Sequence, residues 1–224
     1  MSFTRLLGEL RSYYQGCRQH ELQAFYDLES RLPYFDHVSR ILGSHKRRLL
    51  LRWLRQQPVV GPILELGGGI GTFARQLGDR GYQVISLDIS PAKTAKAQRL
   101  TSRHYRQSDA PVHHVVGDMR ELGTGSVLDE AIRAACGQEV RQSFAVVLAA
   151  DVLEHLPDPP ETTAQRLHTL VAPGGRLFTS VPSRLCINDP GHFWTLLPEE
   201  WERVFGQNGW GIRQRQMSRL CWYG

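Results

Sequence analysis

The sequence of 224 residues has few cysteines and no pattern that would pair them. Its four cysteines are scattered without a C-x-x-C pair, at Cys17, Cys136, Cys186 and Cys221. Such spacing indicates neither a zinc knuckle nor a disulfide framework. We therefore expect a reduced, cytoplasmic protein.

Long apolar runs are also missing. No segment reaches the roughly 20 consecutive apolar residues that cross a bilayer. Arg5, Glu9 and Arg11 interrupt the N-terminal stretch in which a signal peptide would have its apolar core. With 41% hydrophobic and 22% charged residues, the composition is that of a globular protein with a sizeable core. We expect no membrane partner.

Positive charge is present but unevenly distributed. The first 60 residues hold ten Lys and Arg against five Asp and Glu, whereas residues 61–224 hold 17 of each. The densest run, residues 46–55, could attract nucleic acid or an anionic substrate. Leu50, Trp53 and Leu54 supply an apolar stripe between these charges, which is typical of a helix with a solvated basic side. We favour the solvated helix, and nucleic acid stays open as an alternative partner.

From residue 62 onward, short apolar runs alternate with longer amphipathic ones. Five runs have the character of buried strands, namely PILELG, YQVISLDIS, PVHHVVGDM, SFAVVLAAD and GGRLFTSVP. Helices are predicted between and after them, at about residues 72–80, 91–100, 127–135, 160–170 and 198–209. This alternation predicts a doubly wound α/β fold, in which ligands bind beyond the carboxyl ends of parallel strands. Residues 1–57 are predicted to form a helical cover before a domain of residues 58–224.

A glycine-rich turn follows the first predicted strand. ELGGGIG places Glu65 ahead of three glycines whose backbone can turn sharply and approach a ligand closely, at Gly67, Gly69 and Gly71. Asp88 ends the next strand, where it can accept hydrogen bonds from a ribose diol. From Gly69 onward, GIGTFA also satisfies G-x-G-x-x-G/A. An NAD(P)-dependent oxidoreductase is therefore an alternative.

The ends of the later strands favour another family. The glycine loop has the full pattern E/D-x-G-x-G-x-G, the third strand ends in VVGDM, and the fourth runs into ADVLEHLPDP. With LVAPGGRLFTSVP as the fifth element, residues 63–209 resemble the class I S-adenosylmethionine-dependent methyltransferases. The resemblance implies a Rossmann-like methyltransferase fold that binds S-adenosylmethionine and releases S-adenosylhomocysteine. The oxidoreductase then becomes the weaker alternative.

The resemblance also implies which residues bind the cofactor. The glycine loop would hold the methionine moiety, Asp88 the ribose and Asp118 the adenine, while Glu65 would shape the loop. The full set implied is Glu65, Gly67, Gly69, Gly71, Asp88, Ile89, Asp118, Met119 and Asp151.

His155, after the fourth predicted strand, is the candidate catalytic base. Imidazole titrates near neutrality, so it can take a proton from a phenol or hydroxyl group. The alternative is that His155 only packs in the pocket wall. We expect O-methylation of a small-molecule acceptor. A non-catalytic cofactor-binding subunit that pairs with a partner enzyme is an alternative from another class.

The same segment raises the question of a metal. If it turns helically, Asp151, Glu154 and His155 share one face. Asp151-x-x-Glu154-His155 is similar to the E-x-x-E-H that holds a divalent ion in ubiquinone-biosynthesis and small-RNA 2′-O-methyltransferases. The second family adds a later histidine, which matches His192 of HFWT. Because Asp replaces the first Glu, we expect no metal. A metal-assisted 2′-O-methyltransferase of RNA ends or catechols stays the alternative.

The N-terminal segment is predicted to cover the acceptor site, as the helices before the first strand do in enzymes of the family that this sequence resembles. The candidate acceptor-lining residues are Tyr13, Tyr14, Tyr26 and His192. The sequence indicates neither the identity of the acceptor nor the oligomeric state.

Overall fold

A parallel sheet forms the centre of the molecule. The computed structural model describes residues 22–30, 46–56, 59–105, 111–137, 139–182 and 192–212. Within them lie five strands, β1 (Ile63–Leu66), β2 (Val84–Asp88), β3 (Val112–Val116), β4 (Phe144–Ala150) and β5 (Val171–Ser180). All neighbours are parallel, in the order β3-β2-β1-β4-β5. The predicted strands and doubly wound sheet are confirmed, and the order reverses between β1 and β4, where ligands of such sheets bind.

Helices precede, connect and follow the strands. Helix α1 (Leu22–Glu29) and helix α2, described over residues 46–55, come before β1. The later helices are α3 (Thr72–Gly78), α4 (Pro91–His104), α5 (Val127–Cys136), α6 (Pro160–Leu170) and α7 (Pro198–Gln207). They match the predicted segments apart from their ends, since α3 stops earlier and α4 runs longer. Short 3-10 turns at Met119–Glu121 and Leu153–His155 follow β3 and β4.

The core lies on both faces of the sheet because successive strand residues point to opposite sides. One cluster combines strand residues with α2 and α3, through Leu50, Leu54, Ile63, Ala74, Leu77, Val84, Val112, Val146 and Leu148. The other packs strand residues such as Leu64, Ile85 and Val147 against α5, α6 and α7. Helix α2 thus shares a core with the sheet. The predicted division between residues 1–57 and 58–224 stays a prediction.

Helix α2 carries the basic run. Arg48, Arg52 and Arg55 are exposed, as expected for a solvated stripe. Arg47 is buried instead, with 9% of its surface exposed, because it lies on the same helix face as Leu50 and Leu54. None of the helices described above combines the length and apolar character needed to cross a membrane.

A buried carboxylate organises the connection between β3 and α5. Asp129 accepts hydrogen bonds from the backbone N–H of Gly123 at 2.9 Å and of Gly125 at 2.7 Å. Both glycines have positive φ angles, 73° and 80°, which other residues adopt only with strain. Asp129 therefore holds the turn that follows Met119.

We expect Asp129→Ala to lower the free energy of unfolding by about 2–4 kcal/mol, because two backbone donors lose a charged acceptor. Urea denaturation measures this change. The matched control is Glu130→Ala, at the exposed neighbouring position, for which a change below about 0.5 kcal/mol is expected. Equal effects of the two substitutions would contradict this role of Asp129.

Candidate functional site

A cavity of about 470 Å³ opens at the carboxyl ends of β1, β2 and β4. Most of the predicted site residues line it, namely Tyr26, Glu65, Gly67, Gly69, Asp88, Ile89, Asp118, Met119, Asp151 and His155. Gly71 and His192 are not part of its wall. Tyr13 and Tyr14 lie outside the described residues.

The three predicted glycines all have positive φ angles but differ in what surrounds them. A Cβ atom at Gly69 would meet nothing within 4 Å, so this position faces the open cavity. At Gly67 it would lie 2.2 Å from Val152 Cγ2, and at Gly71 it would lie 2.4 Å from His114 Cε1. Gly69 therefore leaves room for a ligand, whereas Gly67 and Gly71 leave room for the protein's own side chains. The predicted contact of Gly71 with the cofactor stays a prediction.

Gly68 was not singled out in the sequence, and it leaves as little room for a Cβ atom as Gly67 and Gly71 do. A Cβ atom there would lie 1.9 Å from Ser86 Oγ and 2.9 Å from Glu65 Oε2. The Ser86 hydroxyl donates to Glu65 Oε2 at 2.7 Å. The glycine loop therefore packs directly against the buried pair of Glu65 and Ser86. In this position Glu65 can determine the shape of the loop.

Asp88 ties the glycine loop to the end of β2. One carboxylate oxygen accepts the N–H of Gly69 at 2.7 Å, and the other accepts the N–H of Ser90 at 2.9 Å. A carboxylate oxygen has a second lone pair, so both oxygens can still accept from a diol. The ribose contact fits this geometry and stays a prediction.

Asp118 is held by hydrogen bonds from Arg120, two residues further along the chain. Its carboxylate accepts from the Arg120 guanidinium at 2.8 and 2.5 Å and from the Arg120 backbone N–H at 2.9 Å. It thereby caps the 3-10 turn that carries Met119. Its predicted adenine contact would add to this structural role, and that contact also stays a prediction.

Two cavity-lining cations of α2, Lys46 and Arg47, were not singled out in the sequence. The guanidinium of Arg47 lies 5.7 Å from the ring centroid of Phe73, in the first turn after the glycine loop. Lys46 forms an ion pair with Asp151 at the end of β4. The burial of Arg47 could have been predicted from its spacing to Leu50 and Leu54, because this spacing puts Arg47 on the apolar face of the helix.

The segment after β4 brings together three of the four residues considered for a metal. Donor atoms of Glu154, His155 and His192 lie within 4.8 Å of one another. Asp151 is not a member of this group, since its backbone is left-handed, with φ at 55°, and its carboxylate faces Lys46 and the Ser180 hydroxyl. The prediction that Asp151 shares a face with Glu154 and His155 is therefore wrong.

Backbone hydrogen bonds hold His192 next to this turn. The N–H groups of Phe193 and Trp194 both donate to the carbonyl oxygen of Glu154, at 2.7 and 3.3 Å. The imidazole rings of His155 and His192 then lie 4.8 Å apart between centroids. His192 therefore lies beside His155 although it is not part of the cavity wall.

Helix α1 also contacts His155, through Tyr26. The ring of Tyr26 meets the ring of His155 edge-on, with 5.9 Å between centroids. Lys93 Nζ lies 4.3 Å from the centroid of Tyr26. Residues from both described helices of the predicted N-terminal cover, among them Tyr26 and Arg47, line the cavity.

The pKa of Glu65 is raised to about 7 from its ordinary value of 4.5, chiefly by burial. The Ser86 hydrogen bond lowers the pKa and the nearby charge of Asp88 raises it, so burial prevails. A carboxyl group whose pKa is higher in the folded state stabilises the fold at low pH. That contribution is complete below pH 4.5 and is lost as the pH rises through about 7.

We therefore expect the free energy of unfolding of the wild type to fall between pH 4.5 and 7 relative to that of Glu65→Gln. Glutamine keeps an oxygen for the Ser86 hydroxyl but carries no charge. Denaturant unfolding at a series of pH values provides the measurement. Glu161→Gln, at an exposed position, is the control and should parallel the wild type. If Glu65→Gln also parallels the wild type, Glu65 is not the titrating group.

Comparison with known proteins agrees with this architecture. A family model described as a methyltransferase domain matches residues 34–223. The ubiquinone biosynthesis O-methyltransferase of Albidiferax ferrireducens is 30% identical over 167 residues, which cover 73% of this chain and 58% of that protein. Its counterpart in Chromobacterium violaceum is 28% identical over 122 residues, covering 54% and 44%. The chain spans about half the length of the curated relatives it matches.

The fold has a solved counterpart in magnesium protoporphyrin IX methyltransferase from Synechocystis, determined with bound S-adenosylmethionine. The two chains superpose over 92% of each, with a TM-score of 0.65 and 18% sequence identity. The family match covers most of the sequence, and the sheet order and glycine loop agree with it. This chain belongs to the methyltransferase-domain family, and it has the fold of the class I S-adenosylmethionine-dependent methyltransferases that its motifs predicted.

Proposed function

We propose that this chain is an S-adenosylmethionine-dependent O-methyltransferase of a small hydroxylated acceptor, with His155 as the base. One observation carries the proposal, namely that a single cavity is lined both by Gly69 and Asp88 and by His155. A cofactor on the glycine loop and an acceptor beside the imidazole would then meet within one cavity. The O-methyltransferase names of the relatives support an oxygen as the methyl acceptor. Cytoplasmic location stays a prediction.

The residues of the cavity suit S-adenosylmethionine. When bound, the cofactor supplies a methyl group on a sulfonium, which is a good leaving group. Gly69 leaves its backbone accessible, and Asp88 can accept two hydroxyl donors. We assign the buried cation Arg47, beside the first turn of α3, to the carboxylate of the methionine moiety. Ile89 and Met119 offer apolar surface for the adenine.

The surroundings of His155 support its role as the base. Methyl transfer to a hydroxyl oxygen requires loss of the hydroxyl proton, and an imidazole within hydrogen-bonding reach can accept it. The rings of Tyr26 and His192 both lie against the ring of His155, which limits its rotation. Leu156 and Phe178 line the cavity with apolar surface and reduce the space for water. The protein thus contributes alignment of the acceptor and removal of its proton.

A second candidate mechanism follows from the group of Glu154, His155 and His192. One carboxylate and two imidazoles form a donor set that suits a divalent transition metal. A metal held there would polarise the acceptor hydroxyl, and His155 would serve as its ligand rather than as the base. Catechols and the 3′ ends of RNA, whose hydroxyl groups can bind a metal, would then join the range of acceptors.

Substitution of the two histidines separates these mechanisms. If His155 is the base, His155→Ala lowers turnover by about 10²–10⁴-fold, while binding of S-adenosylhomocysteine persists. We expect EDTA to have no effect and His192→Ala to cost less than His155→Ala. The measurement is release of S-adenosylhomocysteine with a panel of phenols, catechols and RNA oligonucleotides. His168→Ala, an exposed histidine outside the cavity, serves as the control.

Two outcomes would contradict this expectation. Loss of activity in EDTA, with recovery on adding manganese or magnesium and equal damage from both histidine substitutions, would establish the metal mechanism. Tight binding of S-adenosylhomocysteine without turnover of any acceptor would favour the non-catalytic partner subunit.

A further inference from the structure

One carboxylate attaches helix α1 to the N-terminus of α4. Asp27 Oδ1 accepts a hydrogen bond from the Ser90 hydroxyl and another from the backbone N–H of Ala92 at 3.3 Å. Pro91 has no N–H, so Ala92 carries the first backbone donor of the helix. A negative charge is also favoured at this end by the helix dipole. Asp27 therefore extends the cap that Ser90 begins by accepting from the N–H of Lys93 at 3.1 Å.

Ser90 links this attachment to the glycine loop. Its backbone N–H donates to one oxygen of Asp88, and the other oxygen of Asp88 accepts from Gly69. Asp27, Ser90, Asp88 and Gly69 thus form a continuous series of hydrogen bonds from α1 to the cofactor side of the cavity. Ser90 is fully buried, which limits the competition of water for the hydrogen bonds that Ser90 itself makes.

The attachment determines where Tyr26 lies. Tyr26 precedes Asp27 in the chain, and its ring lies against Lys93 and His155, at 4.3 and 5.9 Å from the ring centroid. Ring contacts of this kind are weaker than hydrogen bonds to a carboxylate. The hydrogen bonds of Asp27 are therefore expected to keep the helix against the cavity.

We propose that Asp27 is a positioning residue, which holds α1 as a wall of the acceptor site and couples its docking to cofactor binding. A cofactor that binds Asp88 and Gly69 orders the turn on which Asp27 rests. By thermodynamic reciprocity, docked α1 stabilises the same turn for the cofactor. Cofactor binding thus completes the acceptor site by fixing Tyr26 next to His155. The inference rests on the proposed function, because that function defines which side of the cavity receives the acceptor.

Amide hydrogen exchange in the full chain tests the coupling without requiring turnover. Exchange over residues 22–30 is measured with and without S-adenosylhomocysteine in the wild type, Asp27→Ala, Asp27→Asn and Gln23→Ala. We expect the ligand to slow exchange in the wild type and in Gln23→Ala, whose altered side chain is exposed on the same helix. In Asp27→Ala, exchange should be fast with or without the ligand. Asparagine keeps an acceptor oxygen for Ser90 and Ala92, so Asp27→Asn should restore part of the protection.

Calorimetry and kinetics on the same variants complete the test. The coupling predicts that Asp27→Ala weakens S-adenosylhomocysteine binding by about 5-fold, and that KM for the acceptor rises while Gln23→Ala matches the wild type. If the wild type binds S-adenosylhomocysteine but Asp27→Ala shows unchanged protection of residues 22–30, the inference is overturned and the proposed function stands. If the wild type does not bind the ligand at all, the proposed function fails and the inference fails with it.

Discussion

The carboxylate of Asp88 is the interaction on which the site depends. It receives one hydrogen bond from the glycine loop and one from the turn that begins α4. Because β2 lies next to β1 in the sheet, this carboxylate reaches the glycine loop without any distortion of the strands. The same turn, through Ser90, also holds α1. Helix α1, the glycine loop and the turn after β2 are thus joined through Asp88 and Ser90 at the carboxyl end of the sheet.

Much of the fold could be predicted from the sequence because local patterns decide it. Buried parallel strands appear as short apolar runs, and the helices between them show spaced apolar residues. Ser90 and Pro91 mark the beginning of α4 through capping and the absence of an N–H group. The ends of α3 and α4 were less accurate, since the last turn of a helix depends on contacts that the sequence pattern does not contain. The family and its cofactor followed from several motifs in the correct order.

The site was predictable only in part, because its details depend on tertiary placement. Residues at strand ends were found, but the difference between Gly69 and Gly71 arises from His114, a side chain on β3. The left-handed backbone of Asp151 separates it from Glu154 and His155, whereas helical spacing predicted that they would share a face. Arg47 was assigned to a basic stripe, although its apolar neighbours on the helix face indicated burial. The first two features depend on tertiary contacts, whereas the burial of Arg47 could have been predicted from its spacing to Leu50 and Leu54.

The central claim is that the glycine loop binds S-adenosylmethionine, and calorimetry with S-adenosylhomocysteine tests it most directly. Gly69 and Gly81 both have positive φ angles, 55° and 82°, and a Cβ atom at either would meet nothing within 4 Å. Alanine at each position therefore strains the backbone similarly, but only Gly69→Ala adds a methyl group to the cavity. The account predicts that the wild type and Gly81→Ala bind S-adenosylhomocysteine alike, and that Gly69→Ala binds at least about tenfold more weakly. Equal affinity in all three proteins, or binding of NAD in place of S-adenosylhomocysteine, would contradict it.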